Sequence, residues 1–136
     1  MRKQTLYKDN TSNSPYRMVV DADGYKFYFD QPEAIGGEGS APTPHVYLDA
    51  AVLACKAMVI RIVAARRGIA LEDIKITLNT DDSEERKGRY VMNFVIELIG
   101  DLSEKDRQIL LKTAEQCPVG KLLGDEVTVE LNSQLV

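Results

Sequence analysis

The spacing of apolar residues along this chain switches from a period of two to a period near 3.6 and back, twice. In the first third, "QTLYK" at 4–8, "YRMVVD" at 16–21 and "YKFYFD" at 25–30 predict three strands. Ala22-Asp23-Gly24 between the second and third is a hairpin signal, because Asp and Gly tolerate the positive φ of a tight turn. "QPEAIGGEGSAPTP" at 31–44, rich in Pro and Gly, predicts a loop. It is no phosphate cradle: Gly37-Glu38-Gly39 carries an acid and lacks the Lys-Ser/Thr that follows such loops. A long helix starts with Thr43 as N-cap and Pro44 at its first position. It ends at Gly68, with Arg66 and Arg67 complementing the dipole of its last turn. That makes about 24 residues, or about 36 Å. Its middle, 50–57, is alanine-rich and apolar on most sides, so the helix has to be covered widely, and a dimer follows as the expectation.

The period of two returns in "EDIKITLNT" at 72–80, where Ile74, Ile76 and Leu78 alternate, and in "RYVMNFVIELIG" at 89–100. The polar "DDSEERKG" between them reads as a hairpin tip. Ser103 is the N-cap of a second helix, with Glu104 and Asp106 in its first turn and Ile109, Leu110, Thr113 and Ala114 on one face. "PVGKLL" at 118–123 reads as a short helical turn, and "DEVTVELN" at 125–132 as a last strand through Val127, Val129 and Leu131. The order βββ-α-ββ-α-β, without regular strand–helix alternation, predicts an α+β fold rather than a doubly wound parallel sheet.

A length of 136 residues with 44% hydrophobic residues predicts one domain, residues 1–136, with a substantial core. A net charge of −4 argues against a nucleic-acid partner, since Arg66-Arg67 and Arg86-Lys87 are short and flanked by acids. The longest apolar stretch, 46–62, is interrupted by Asp49, Lys56 and Arg61, which argues against a membrane span. The first 17 residues hold no apolar signal segment, so the expected location is cytoplasmic. In that compartment two cysteines are more readily redox-active or unpaired than a structural disulfide.

Those two are Cys55, inside the long helix, and Cys117, which opens "CPVGKLLG". Cys55 lies past the middle of its helix and gains little from the dipole. Cys117 precedes Pro118, which disfavours helical geometry at the residue before it, so Cys117 caps the short helix. A thiolate there is favoured by exposed N–H groups, and Lys121 adds a cation one turn on. Together the two thiols suit a peroxide cycle, sulfenic acid and then disulfide, reset by an external dithiol. Whether the fold brings them together is open at this point; otherwise they are two small core residues. Zinc is disfavoured, because His45 and the two cysteines are the only soft ligands and fit no compact motif.

"GGEGSAPTPHVYLDAAVLACKAMVIRIVAARRG" together with "AEQCPVGKLLGDEVTVEL" resembles the OsmC/Ohr family of hydroperoxide-reducing proteins, over nearly the whole chain. The resemblance implies an intertwined homodimer, with antiparallel sheets around two central helices. It implies a peroxidatic Cys55, a resolving Cys117, organic hydroperoxides such as alkyl or lipid peroxides as substrates, and no bound cofactor. A dihydrolipoyl protein is the dithiol reductant in one branch. The better-studied members carry a glutamate ten residues before the first cysteine, paired with an arginine; here His45 stands at that position and Arg17 is the candidate arginine. Ten helical residues rise about 15 Å, so His45 cannot reach Cys55 of its own helix. Glu38 matches an acidic position of OsmC-like relatives, and Gly120 replaces a histidine often found after "CPV". Val52, Met58 and Val59 would line an apolar substrate pocket or serve as plain core. The alternative is an OsmC-like small-molecule-binding protein with weak or no peroxidase activity.

Overall fold

A computed structural model describes residues 1–136. The fold is α+β with antiparallel sheets, and the chain divides into two compact units, Met1–Leu48 and Asp49–Val136.

In the first unit, β1 (Gln4–Lys8), β2 (Met18–Ala22) and β3 (Tyr25–Phe29) form an antiparallel sheet in the order β1-β2-β3. Ala22 pairs with Tyr25, so the hairpin loop is the two residues Asp23 and Gly24. Both have positive φ, 52° and 84°, as the twist of the flanking strands requires. Asp30, at the end of β3, is buried and organises the loop that follows. Its Oδ1 accepts from the Ser14 hydroxyl at 2.5 Å and the Gln31 N–H at 2.8 Å. Its Oδ2 accepts from the Ser40 hydroxyl (2.7 Å), the Ser40 N–H (3.1 Å) and the Glu38 N–H (3.3 Å). Five donors on one carboxylate turn the chain back so tightly that a Cβ on Gly37 would sit 1.9 Å from the Gln31 carbonyl oxygen. Only glycine fits there.

Helix α1 (Pro44–Arg67) begins as expected: the Val46 N–H approaches the Thr43 hydroxyl at 3.5 Å and Tyr47 N–H donates to Thr43 O. Tyr47 ties this first turn to β3 through its hydroxyl, 2.7 Å from Tyr28 O, and through its ring, 4.3 Å from that of Phe29. The helix stops at Gly68, whose φ is 64°.

In the second unit, β4 (Leu71–Asp81) and β5 (Val91–Gly100) form one long antiparallel hairpin, with Ile76 opposite Ile96. Helix α2 (Glu104–Glu115) starts at Ser103, whose hydroxyl accepts from Asp106 N–H at 3.0 Å. The core is Ile60 and Ala64 of α1 against Leu110 and Ala114 of α2, closed by Ile74, Ile76, Ile96 and Leu98 of the hairpin. Asp49 ties the start of the unit to the hairpin tip, accepting from the hydroxyls of Tyr90 (2.7 Å) and Thr80 (2.9 Å). Helix α3 (Pro118–Leu122) follows α2.

The last strand of the sequence reading does not form. Residues 128–136 carry no regular structure, and Val127, Val129 and Leu131 are exposed, Leu131 by 89%. The alternation is present, but a strand exists only by pairing its backbone with a neighbour, and within one chain this segment meets none.

Candidate active site

Both thiols lie in the second unit and both are free. Cys55 is on α1 and half-buried; Cys117, between α2 and α3, is 1% exposed. The fold makes them neighbours: Cys55 is one of the groups that act on the ionisation of the Cys117 thiol. Local chemistry fixes Cys117 as anticipated. Gln116 ends α2, Pro118 occupies the first position of α3, and the Cys117 sulfur accepts the Gly120 N–H at 3.2 Å. A side chain at 120 would meet that sulfur at 3.3 Å, so the glycine that replaces the family histidine keeps the sulfur uncrowded.

The ionisation of Cys117 runs opposite to the reading from sequence. Its pKa is raised above the ordinary thiol value, first by burial and then by the hydrogen bond with Cys55. The Gly120 N–H and the Lys56 ammonium pull it down, without offsetting the burial. A helix of five residues has too few aligned peptides to outweigh the removal of a thiolate from water. The cation acting on this thiol is Lys56, which the sequence reading treated only as an interruption of an apolar run. Its Nζ donates to Ala114 O at 2.8 Å and lies 4.7 Å from the centre of the Phe94 ring. The signal for it was available: it is the lone charge between Asp49 and Arg61, next to Cys55. Lys121 is engaged by Glu126 at 3.7 Å. Lys56, Lys121, Glu126, Phe94, Val52 and Gly120 border a cavity of about 350 Å³.

The remaining candidates lie in the first unit. Arg17 precedes β2 and is firmly held. Its Nε donates to Asp9 Oδ2 at 2.7 Å, and its Nη1 to Ser40 O (3.0 Å) and Ser40 Oγ (2.9 Å). Its guanidinium also lies over the Tyr28 ring at 4.8 Å. Hydrogen bonds from the Thr11 hydroxyl and Arg17 lower the Asp9 pKa to about 2. The Ser40 that grips Arg17 is itself fixed by Asp30, whose pKa is held well below the carboxylate range by the hydroxyls of Ser14 and Ser40 against the effect of burial. Asp9, Asp30 and Ser40 were not singled out from sequence, since nothing in their spacing reveals that Asp9 and Ser40 hold one arginine and that Asp30 holds Ser40. Glu38 borders a polar cavity with Arg17, Asp9 and Ser40, and His45 is exposed on the first turn of α1.

No group of three or more His, Cys, Asp or Glu side chains forms a metal-binding cluster. No helix is long and apolar enough to cross a membrane.

Residues 37–132 match the family model of OsmC-like proteins. No curated protein matches the sequence. Solved structures do. An organic hydroperoxide resistance protein OsmC from Legionella pneumophila is 23% identical over 93% of this chain and 90% of that one, with a TM-score of 0.63. An OsmC-like protein from Mycoplasma pneumoniae is 17% identical over 100% and 97%, with a TM-score of 0.70. The organic hydroperoxide resistance protein OhrB of Bacillus subtilis is 20% identical over 92% of each chain, with a TM-score of 0.56. At these identities the structures speak for the fold, and the family model for descent. By a match that spans well over half of its length, the chain belongs to the OsmC-like protein family.

Proposed function

We propose that this protein is a thiol-dependent peroxidase that reduces organic hydroperoxides, with Cys55 as the attacking thiol and Cys117 as the resolving one. The observation that carries the reading is the free, buried Cys117 thiol whose ionisation the free Cys55 of α1 influences. Two thiols so placed, in a family with hydroperoxide-resistance members, can divide a peroxide reduction into two steps.

In the first step the Cys55 thiolate attacks the distal oxygen of ROOH. The O–O bond breaks, an S–O bond forms, the alkoxide leaves as the alcohol after taking a proton, and Cys55 becomes a sulfenic acid. In the second, the Cys117 thiolate attacks the Cys55 sulfur, hydroxide leaves as water, and the S–S bond forms. An external dithiol then restores both thiols by exchange and is itself oxidised to a disulfide; a dihydrolipoyl protein fits that class. Arg17 is the proposed cation for Cys55, by family position and because four contacts hold its guanidinium in one place. A rigid guanidinium is better suited to stabilising a fixed charge than a mobile one. Glu38, His45 and Lys121 are supporting candidates only.

A homodimer belongs to the proposal. Ala51 and Met58 flank Cys55 on α1 and Ile62 continues the row, all solvent-exposed and Met58 by 64%, while 127–131 offers an unpaired alternating segment. Both features want a second surface. The cytoplasm is the proposed location, where a dithiol reductant would be available.

Thiol titration before and after one equivalent of cumene hydroperoxide tests the reading. The wild type loses two thiols, Cys55→Ser loses none, and Cys117→Ser loses one and yields a sulfenic acid that dimedone traps. Survival of both wild-type thiols in millimolar peroxide would overturn the peroxidase reading and leave a small-molecule-binding role for the same fold.

A further inference from the structure

Lys56 is an unusual residue for its surroundings. It stands in the alanine-rich middle of α1, immediately after Cys55, in a stretch whose other residues from 50 to 60 are uncharged. A charge there has to be solvated by something, and the structure shows what. The ammonium donates to Ala114 O in the last turn of α2 and rests on the face of Phe94 from β5. Its polar partner is a neutral carbonyl and its second contact a π-face, so its positive charge is not cancelled by a carboxylate. Ala114 is three residues before Cys117, so the contact that anchors Lys56 also places it at the turn carrying the second thiol.

Of the charged and titratable groups that act on that thiol or line the cavity bordered by its hydrogen-bond partner Gly120, each helix supplies one or two. From α1 come Cys55 and Lys56; from α2, Glu115; from α3, Lys121, which Glu126 engages; Asp125 follows on the same cavity wall. The β5 residues there, Met92 and Phe94, are uncharged. Cys117 meets almost no water, and its neutral hydrogen-bond donor is the Gly120 N–H. To attack a sulfenic sulfur it has to become a thiolate in that place.

We propose that Lys56 is the counter-cation of the Cys117 thiolate, and so controls how readily the resolving thiol ionises to close the disulfide. The assignment deepens the two-cysteine reading and rests on it for its place in the cycle. It separates the duties of two cations: Arg17 is assigned to Cys55, and Lys56 to Cys117. In the closing step Lys56 transfers nothing; it lowers the cost of the charge on Cys117 until the S–S bond forms and hydroxide leaves as water.

The direct test reads Cys117 alone, without peroxide. In a Cys55→Ser background, thiolate absorbance at 240 nm is titrated with Lys56 intact, with Lys56→Met and with Lys56→Arg. Met keeps the apolar stem over Phe94, while Arg keeps the charge. The midpoint for Cys117 is expected to rise in Lys56→Met and to return toward that of the intact protein in Lys56→Arg. Equal midpoints in all three would overturn the proposal, whatever the peroxidase assay gives. The kinetic arm uses the protein with both cysteines and follows disulfide closure by quenched mass spectrometry after one peroxide equivalent. Lys56→Met is expected to slow closure about three- to tenfold at pH 7, since attack follows the thiolate fraction and one pK unit is tenfold. The deficit shrinks as pH rises, and dimedone-trappable sulfenic acid accumulates. Unaltered closure with an unaltered pH profile would also overturn the assignment. If the wild type consumes no peroxide but the midpoint still moves, the peroxidase reading fails and the counter-cation assignment stands.

Discussion

Oxidising the Cys55–Cys117 pair should make the protein harder to unfold, by an amount the connectivity fixes. A bond between these residues closes a loop of about 60 residues, and in the chain-entropy account such a loop removes about 4 kcal/mol of freedom from the unfolded ensemble. Native-state strain subtracts from that. Cys117 is held by its Gly120 N–H and by the end of α2, so the movement available for bonding geometry is in the five-residue α3 and the Cys55 rotamer. A net gain of about 2–4 kcal/mol is expected after partial offset by this strain. Urea unfolding of the fully reduced and fully oxidised protein, at one protein concentration, reads the difference as a shift in midpoint; Cys117→Ser under both conditions controls for other oxidation. Oxidation without any rise in the midpoint, or with a fall, would refute the reasoning. It would mean that bridging requires the α2–α3 junction to leave its seat, and that the two thiols are not preset for each other.

Leu110 is fully buried between α1 and the β4–β5 hairpin, with Ala64 and Ala114 already too small to fill a space beside it. Leu110→Ala should therefore cost about 3–4 kcal/mol in urea unfolding, toward the upper part of the range for such truncations; a loss below about 1 kcal/mol would show that the core closes up. Stability should also depend on pH at both extremes. Asp9 is lowered from 3.8 to about 2, so its contribution is complete above pH 4 and is lost as pH falls through about 2. Tyr90 is raised from 10.0 to about 12, by burial first and then by its bond to Asp49, so its contribution is complete below pH 10 and is lost as pH rises through about 12. Thermal midpoints across pH should fall in both windows, and Tyr90→Phe should flatten the alkaline one; an unchanged alkaline limb in that variant would remove Tyr90 as its cause.

Local rules carried most of the fold. The Thr43-Pro44 start, the Gly68 stop, the Ser103 cap and the Ile74-Ile76-Leu78 alternation each depend on residues within one turn or one strand, and each is found. The terminal segment failed for a reason of the same kind. Val127, Val129 and Leu131 specify a face, but no local rule specifies the neighbour that would receive the ladder. At the site the boundary falls in the same place. The cap geometry of Cys117 could be read from Cys117-Pro118, whereas its burial, and the grip of Asp9 and the Asp30-held Ser40 on Arg17, depend on contacts across longer stretches of chain.

That difference reverses the roles a local reading gives the two thiols. Judged by its helix cap alone, Cys117 would be the activated sulfur. Burial and its contact with Cys55 make it the reluctant one, which suits a thiol that acts second. Two adjacent thiolates in a dry site would repel, and each would disfavour the other. In the proposed cycle, a Cys117 that stays protonated until Cys55 has been oxidised avoids that repulsion. Cys55 in that cycle then becomes a neutral sulfenic acid, the competition ends, and the Lys56 cation lowers the cost of a thiolate at Cys117. The order of events in the proposed cycle is set by mutual electrostatics within the pair, with Lys56 easing the ionisation of Cys117 that the closing step requires.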